Sequence, residues 1–239
     1  IYLVSMVALP PNLPANVQAD LLAVLEQLPT MQHGQLIRQV LETILRMMGR
    51  EADRLDWKIL NYALQDMEQG FQVFYPYRHV RKITIFGSAR MKSTSPTYEL
   101  ARRCSEQLAE LGFMVMTGAG GGIMQAGNEG AGPERSFGLN IQLPFEQGAN
   151  PVMAGDPKLI DFKYFFTRKL FFLRESDGLV LFPGGFGTQD EAFESLTLIQ
   201  TGKADPMPLV LVDSPEERYW HHWDTYIRKS LLDRGLISP

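Results

Sequence analysis

Residues 1–80 carry hydrophobic positions at helical spacing. Residues 17–28 form a short amphipathic stretch, and residues 36–48 and 60–71 form two longer ones. Gly49 is placed to end the second of these helices. No constellation of reactive side chains stands out in this part of the chain. We therefore expect residues 1–80 to be a helical extension that packs on the main domain or on a partner subunit.

Residues 81–239 instead alternate short apolar runs with helical patterns. Near-continuous apolar strands separated by helices are typical of a parallel sheet that is covered on both faces. The sequence thus predicts an α/β class, doubly wound (Rossmann-like) nucleotide-binding catalytic domain over residues 81–239. We predict strands at 82–86, 113–117, 136–143, 178–182 and 208–212, and helices at 97–111, 123–131, 162–175, 189–201 and 220–232.

Glycine-rich stretches follow three of the predicted strands. They are Gly87-Ser88-Ala89-Arg90, Gly118-Ala119-Gly120-Gly121-Gly122 and Gly184-Gly185-Phe186-Gly187-Thr188. Ligands of parallel α/β folds bind beyond the carboxyl ends of the strands. Glycine lets consecutive backbone N–H groups converge on an anion, and the following helix adds partial positive charge. Three such loops at one rim favour a phosphate site over simple tight turns.

The familiar phosphate-binding motifs do not fit these loops. The dinucleotide fingerprint G-x-G-x-x-G would need glycine where Ile123 stands, and Gly202-Lys203-Ala204 lacks the hydroxyl residue of a Walker motif. The segment Gly87-Ser88-Ala89 is not a G-x-S-x-G nucleophile elbow. These departures argue against NAD redox chemistry, ATP hydrolysis and serine hydrolase chemistry.

The composition of the chain limits the classes of partner that we expect. The net charge of −4 shows no basic surplus, so we expect no nucleic-acid partner. No apolar run approaches the ~20 residues needed to cross a bilayer, so we expect no membrane partner. Cys104 is the only cysteine, which excludes an internal disulfide and fits a reducing compartment. We therefore expect a cytoplasmic location.

The two ends of the chain carry little information. Residues 1–9 are apolar but lack the basic segment and the small-residue cleavage site of a signal peptide. The first residue is not methionine, and the chain stops just after a helical pattern. We expect the natural protein to extend beyond both ends.

Charged residues near the third loop are the candidates for chemistry. Glu191 lies three residues after Thr188, in the first turn of the predicted helix. It is either a capping carboxylate or a catalytic carboxylate held one turn from a bound phosphate, with Asp190 and Glu194 as alternatives. Arg168 and Lys169 interrupt an aromatic helix. They form either a surface stripe, or a pair in which Arg168 meets Glu191 or an anionic ligand.

The motif Pro-Gly-Gly-x-Gly-Thr-x-x-Glu at 183–191, together with Arg168 and Lys169, resembles the signature of the LOG (Lonely Guy) family. These are cytokinin-activating phosphoribohydrolases, and their relatives include nucleoside-monophosphate nucleosidases. The stretches 87–90, 121–128, 138–147 and 196–203 resemble the longer bacterial branch, so the resemblance covers about residues 80–238. One departure is Ala119, which stands where many relatives carry the middle glycine of three.

The resemblance implies a hydrolase that cleaves the N-glycosidic bond of AMP or of a cytokinin riboside 5′-monophosphate, with no cofactor and no metal. It also implies a homodimer or a larger homo-oligomer with the site near the subunit contact. Members were labelled possible lysine decarboxylases, but the residues show no pyridoxal-lysine context. The implied catalytic pair is Arg168 and Glu191, the implied phosphate ligands are Gly184, Gly185, Gly187 and Thr188, and further implied substrate contacts are Gly87, Ser88, Gly120, Gly121, Gly122, Lys169 and Thr197.

Two readings without catalysis stay open at this point. The same loops could carry a phosphorylated cofactor of the molybdopterin type, or could sense a nucleotide and signal through the helical extension. Glu191 favours the enzyme, because carriage of a ligand needs no such carboxylate. The sequence does not define the preferred base.

Overall fold

The structure, a computed structural model, describes Leu9 and residues 13–143, 148–214 and 216–238. Part of one stretch that carries the family resemblance, from Pro144 to Gln147, lies outside the described residues. The chain divides into two compact units, Ile1–Asn61 and Tyr62–Pro239. None of the described helices is long and apolar enough to cross a membrane.

The first unit is helical, as the sequence predicts. Helix α1 spans Ala15–Gln27 and helix α2 spans Gly34–Met48, with a 3₁₀ turn at Leu28–Thr30 between them. Gly49 ends α2, as expected from its position. The small core of this unit contains Leu25, Leu28 and Leu45.

Helix α3 spans Arg54–Phe74 and therefore crosses the division between the two units. Its C-terminal half packs within the second unit, where Phe74 stacks on Phe137 and Phe171 at ring-centroid distances of 4.7 and 5.9 Å. The packing thus divides the chain before the end of the helical segment, and a domain boundary at residue 80 stays a prediction.

The second unit is a parallel sheet between helices, which confirms the predicted fold class. Within the described residues the sheet has six strands in the order β4-β3-β2-β1-β5-β6. The strands are β1 Lys82–Phe86, β2 Met114–Thr117, β3 Ser136–Ile141, β4 Leu159–Phe162, β5 Gly178–Leu181 and β6 Leu209–Leu211. The helices are α4 Pro96–Glu110, α5 Ile123–Ala131, α6 Phe165–Glu175, α7 Phe186–Gln200 and α8 Tyr219–Tyr226, the last continued by a π-helical turn over Ile227–Leu232.

The sequence interpretation missed strand β4 and assigned its last residue to a helix. The helix expected from residue 162 begins at Phe165, because Leu159–Phe162 pairs with β3 at the edge of the sheet. This strand has only four residues, with Ile160 and Phe162 buried and Asp161 exposed. So short a pattern does not distinguish a strand from the start of the aromatic helix that follows.

The order of the strands places a crevice between β1 and β5. The chain runs outward from β1 to β4 and then returns to the other side of β1 as β5, so the connections after these two neighbours diverge to opposite faces of the sheet. The loops that follow them lie side by side, since the Ser88 N–H donates to the Pro183 carbonyl at 3.0 Å. Two of the three predicted glycine loops therefore meet at the switch point of the sheet.

A buried carboxylate on α3 holds the start of α6. Asp66 accepts hydrogen bonds from the backbone N–H groups of Lys163 and Tyr164 at 3.0–3.2 Å and from the Thr167 hydroxyl at 2.5 Å. It thereby satisfies donors at the N-terminus of a helix that has no capping side chain of its own. Because α6 also carries Arg168, this contact sets where that arginine can reach.

Asp66→Asn is expected to lower the free energy of unfolding by about 1–2 kcal/mol, because the amide loses the charge that strengthens these hydrogen bonds. Urea denaturation measures the change. Glu68→Gln is the matched control, since Glu68 lies on the same helix but is exposed. Equal stability of the two variants would contradict the proposed capping of α6.

Candidate active site

A cavity of about 870 Å³ opens at the carboxyl ends of β1 and β5. Its walls come from the loop 87–90, from the loop and first turn of α7, and from side chains of α6. The predicted site residues that line it are Gly87, Ser88, Arg168, Gly184, Gly185, Gly187, Thr188 and Glu191. The structure thus brings the predicted catalytic pair and the predicted phosphate loop into one cavity.

Helix α7 begins earlier than the sequence suggests. We predicted a start at Gln189, but the Gln189 N–H donates to the Gly185 carbonyl at 3.1 Å, so the helix begins at Phe186. Gly187 and Thr188 therefore belong to the first turn, whose N–H groups have no partner within a helix. Glu191 falls in the second turn, and its interpretation as a first-turn capping residue is wrong.

The glycines of this segment leave space on one side only. A Cβ atom at Gly185 or Gly187 would meet nothing within 4 Å, whereas a Cβ at Gly184 would overlap the hydroxyl of buried Thr188. The tight side of the segment therefore packs against Thr188. The open side exposes backbone that an anionic group can approach, next to the positive end of α7.

Glu191 and Arg168 face each other inside the cavity. The distance from Arg168 Nη2 to Glu191 Oε1 is 3.6 Å, and the two side chains are 14% and 7% exposed. Burial raises the pKa of Glu191 to about 7, although the charges of Arg168 and Lys169 pull the pKa of this carboxyl down. Glu191 can therefore change its protonation state near neutral pH, as an acid–base catalyst must.

The Arg168 guanidinium is enclosed by aromatic rings. Its central carbon lies 5.2 Å from the ring centroid of Phe165 and 5.5 Å from that of Phe172. Burial lowers the pKa of Arg168, and its Nε finds no hydrogen-bond partner among the described residues. Arginine keeps its charge even so, and a buried donor without a partner is available to an anionic ligand.

Lys169 does not line the cavity. Its Nζ lies 2.7 Å from Asp190 Oδ2 and 2.8 Å from Glu194 Oε2, so it joins α6 to α7. Thr197 is exposed on α7, and its hydroxyl donates to the Phe193 carbonyl at 2.7 Å. Their role as substrate contacts stays a prediction that the geometry of the cavity does not favour.

The second glycine loop contributes Gly118 to the cavity, but Gly120, Gly121 and Gly122 do not line it. Gly122 has φ of +60° and packs so closely on the loop after β1 that a Cβ would overlap the Ser88 carbonyl. Gly122 therefore joins two loops, and the role of all three glycines as ligand contacts stays a prediction. Ala119, which stands where many relatives carry glycine, adopts a left-handed φ of +58°.

Sequence reasoning missed several residues of the cavity wall. Phe186 and Gln189 stand inside the motif at 183–191, so their position in that motif could have indicated them. Phe186 is 97% exposed at the mouth of the cavity. Phe86, Met124 and Phe172 were also missed, whereas the lining residues Ala89, Arg90 and Gly118 stand in the glycine-rich loops that the sequence analysis had named.

Comparison with known proteins identifies the family. A family model described as "Possible lysine decarboxylase" matches residues 116–239, more than half of the chain. The chain belongs to this family, which is the LOG family that its motif resembles.

Two curated relatives are both described as cytokinin riboside 5′-monophosphate phosphoribohydrolases. The Arabidopsis thaliana protein LOG7 is 37% identical over 73 residues, which is 30% of this chain and 31% of the relative. The Mycobacterium tuberculosis protein is 38% identical over 74 residues, which is 30% of this chain and 36% of the relative. The chain thus matches about a third of the length of these relatives.

Solved structures with a similar fold belong to proteins with different described roles. The molybdenum cofactor carrier protein of Chlamydomonas reinhardtii is 20% identical, with a TM-score of 0.45 over 66% of this chain and 87% of that one. DNA processing protein A of Helicobacter pylori is 18% identical, with a TM-score of 0.44 over 66% of this chain and 74% of that one.

Gly187→Ala is expected to raise the KM for a phosphorylated ligand roughly 10-fold, because the new methyl group occupies the open side of the loop and blocks charge-assisted hydrogen bonds. The melting temperature should not fall, since alanine favours the helix more than glycine does. Gly184→Ala, which overlaps Thr188, should lower stability as well. A Gly187→Ala protein with unchanged KM would show that phosphate does not lie on this loop.

Proposed function

We propose that this protein hydrolyses the N-glycosidic bond of nucleoside 5′-monophosphates to free base and ribose 5-phosphate. The observation that carries the proposal is the content of one cavity: a helix N-terminus with open backbone, and a buried carboxylate one helical turn further along. That spacing suits a 5′-monophosphate, whose anomeric carbon lies several ångströms from its phosphorus. The names of the curated relatives support the same reaction class.

The phosphate is held at the start of α7. The N–H groups of the first turn, the Thr188 hydroxyl and the helix dipole provide donors and positive charge. Binding of this remote group positions the sugar, so that binding energy lowers the barrier at the reacting carbon. A free nucleoside lacks this anchor and should react far more slowly.

Glu191 acts at the sugar. Cleavage of the bond between C1′ and the base nitrogen develops positive charge on the ribose, which an ionised carboxylate stabilises. Glu191 also orients a water molecule and accepts its proton as the water oxygen bonds to C1′. The bond electrons leave with the base, which takes up a proton. Arg168 favours the ionised form of Glu191 and contacts the ligand with its remaining donors.

The measurement that tests the proposal is release of free base. AMP, GMP, CMP, UMP and isopentenyladenosine monophosphate are each compared with the unphosphorylated nucleoside. We expect release from one or more of the monophosphates and from none of the nucleosides. The best substrate identifies the preferred base, and AMP and a cytokinin riboside monophosphate are the first candidates for that substrate. Equal rates on nucleosides and monophosphates would overturn the mechanism. Tight binding without release would favour a carrier or a sensor.

A further inference from the structure

Tyr219, the first residue of α8, lies outside the family motif but contacts the phosphate loop, the glycine-rich segment 184–188. Its hydroxyl donates to the Gly184 carbonyl at 2.5 Å, and the Gln189 side-chain amide donates to the same hydroxyl at 2.5 Å. We propose that Tyr219 is a positioning residue that fixes the peptide between Gly184 and Gly185, so that the Gly185 N–H faces the bound phosphate. The inference rests on the proposed function, because it assumes a phosphate on this loop.

The geometry of the peptide bond couples the direction of the Gly184 carbonyl to that of the Gly185 N–H. The described chain contains no cis peptide bond, so the peptide after Gly184 is trans and planar. In a trans peptide the carbonyl and the N–H point in opposite directions. A hydroxyl that holds the Gly184 carbonyl toward α8 therefore turns the Gly185 N–H away from α8. Both glycines line the cavity, and a Cβ atom at Gly185 would meet nothing within 4 Å.

This peptide needs an external anchor because glycine does not fix its own backbone. Gly185 lacks a side chain, is exposed and has no neighbour within 4 Å of a Cβ position. Glycine accepts a wide range of backbone dihedral angles, so this peptide has no intrinsic preference for one orientation, and a rotated peptide would turn a carbonyl oxygen toward the phosphate. A carbonyl facing an anion repels it, so the orientation of this one peptide affects affinity for phosphate.

The direction of each hydrogen bond follows from the chemistry of the groups. A carbonyl oxygen only accepts hydrogen bonds, so the Tyr219 hydroxyl donates its one hydrogen to the Gly184 carbonyl. The hydroxyl then accepts from the amide nitrogen of Gln189, which also lines the cavity. Hydrogen bonds in such a chain strengthen each other, so Gln189 makes the hydroxyl a better donor to the loop.

Tyr219 is itself held in place by a buried neighbour. Its ring packs edge-on against Trp220 at a centroid distance of 4.8 Å. The Trp220 backbone N–H donates to Asp213 Oδ2 at 2.8 Å, and its indole N–H donates to the Val212 carbonyl at 3.2 Å. Val212 directly follows β6, so these contacts fix the Tyr219 ring, and with it the hydroxyl, relative to the sheet. The anchor is therefore preorganised before any ligand binds.

Tyr219→Phe tests the proposal, because it removes only the hydroxyl and keeps the ring against Trp220. The probe is ribose 5-phosphate, whose dissociation constant is measured by calorimetry. We expect binding about 3- to 10-fold weaker than in the wild type, the effect of losing one hydrogen bond. The KM for the best monophosphate should rise by a similar factor, with a smaller change in kcat.

Tyr98→Phe is the matched control. Tyr98 is buried on α4, its hydroxyl donates to Glu129 at 2.7 Å, and it does not line the cavity. We expect this variant to lose thermal stability with no change in affinity for ribose 5-phosphate. A purely structural role of Tyr219 would give the two variants the same pattern.

The outcomes separate this inference from the hydrolase proposal. Unchanged affinity of Tyr219→Phe for ribose 5-phosphate overturns the positioning role, whether or not the wild type releases base. Weaker binding by Tyr219→Phe, with no base release by the wild type, supports the positioning role and overturns only the hydrolase. A wild type that does not bind ribose 5-phosphate overturns the positioning role, and base release alone then decides the hydrolase proposal.

Discussion

Glu191→Gln is expected to lower the turnover of the best nucleoside monophosphate by a factor on the order of 10² or more, the scale of a lost acid–base or electrostatic group. Glutamine keeps the size and shape of the side chain but can neither carry the negative charge nor accept a proton from water. Base release under saturating substrate measures kcat directly. Because the phosphate loop is untouched, KM should change far less than kcat.

Glu194→Gln is the matched control for this loss. Glu194 lies one turn further along α7 and pairs with Lys169 instead of Arg168. If Glu191 is the catalytic carboxylate, Glu194→Gln should keep most of its turnover. The assignment is contradicted if the two variants lose the same activity, or if Glu191→Gln remains fully active.

Arg168→Ala should lose turnover on the same scale, for a related reason. The buried carboxyl of Glu191 would keep its proton to higher pH without the guanidinium at 3.6 Å. The donors that face the ligand would also disappear. Circular dichroism checks that the variant is folded, since this change removes packing against Phe165 and Phe172 as well as charge. Full activity of a folded Arg168→Ala protein would remove Arg168 from the mechanism.

The sequence alone predicts the main features of the fold and the site, because they depend on local patterns. Apolar strands separated by helices predict the parallel sheet, and the motif around Gly184 together with Arg168 predicts the residues that meet in the cavity. The start of α7 is missed because glycine at 184, 185 and 187 disfavours helix in isolation. In the folded chain the helix continues through Gly187, and the first turn is left open toward the cavity.

The remaining features depend on contacts between distant segments. Nothing local distinguishes Asp66 from any surface aspartate, yet α3 brings it to the start of α6. The adjacent residues Arg168 and Lys169 face different partners, because successive residues on a helix point about 100° apart. Tyr219 lies far along the chain from Gly184 and carries no motif. Tertiary packing therefore supplies the residues that hold the site in place.

The pH dependence of Glu191 gives a second large effect, on stability as well as on rate. Its pKa rises from an ordinary 4.5 to about 7 on burial, even after the favourable charges of Arg168 and Lys169 are included. Between pH 4.5 and about pH 7 the folded protein therefore keeps the proton on Glu191, whereas the unfolded chain has lost it. The protonated Glu191 carboxyl favours the folded state. This contribution to stability is complete below pH 4.5 and is lost as the pH rises through about 7. In the free enzyme, kcat/KM should instead rise with pH through about 7, as Glu191 becomes ionised.

Glu191→Gln should consequently be more stable than the wild type at pH 8, by about 3 kcal/mol for a shift of this size. The difference should shrink to less than about 1 kcal/mol near pH 5, where the folded wild type keeps its proton and little ionisation cost remains. Urea denaturation at both pH values measures the difference, with Glu194→Gln as the control for replacing a carboxylate on the same helix. Equal stability of Glu191→Gln and wild type at pH 8 would mean that the carboxylate is not destabilised by burial. A stabilised but inactive Glu191→Gln protein would show that the site keeps a costly buried charge for its chemistry.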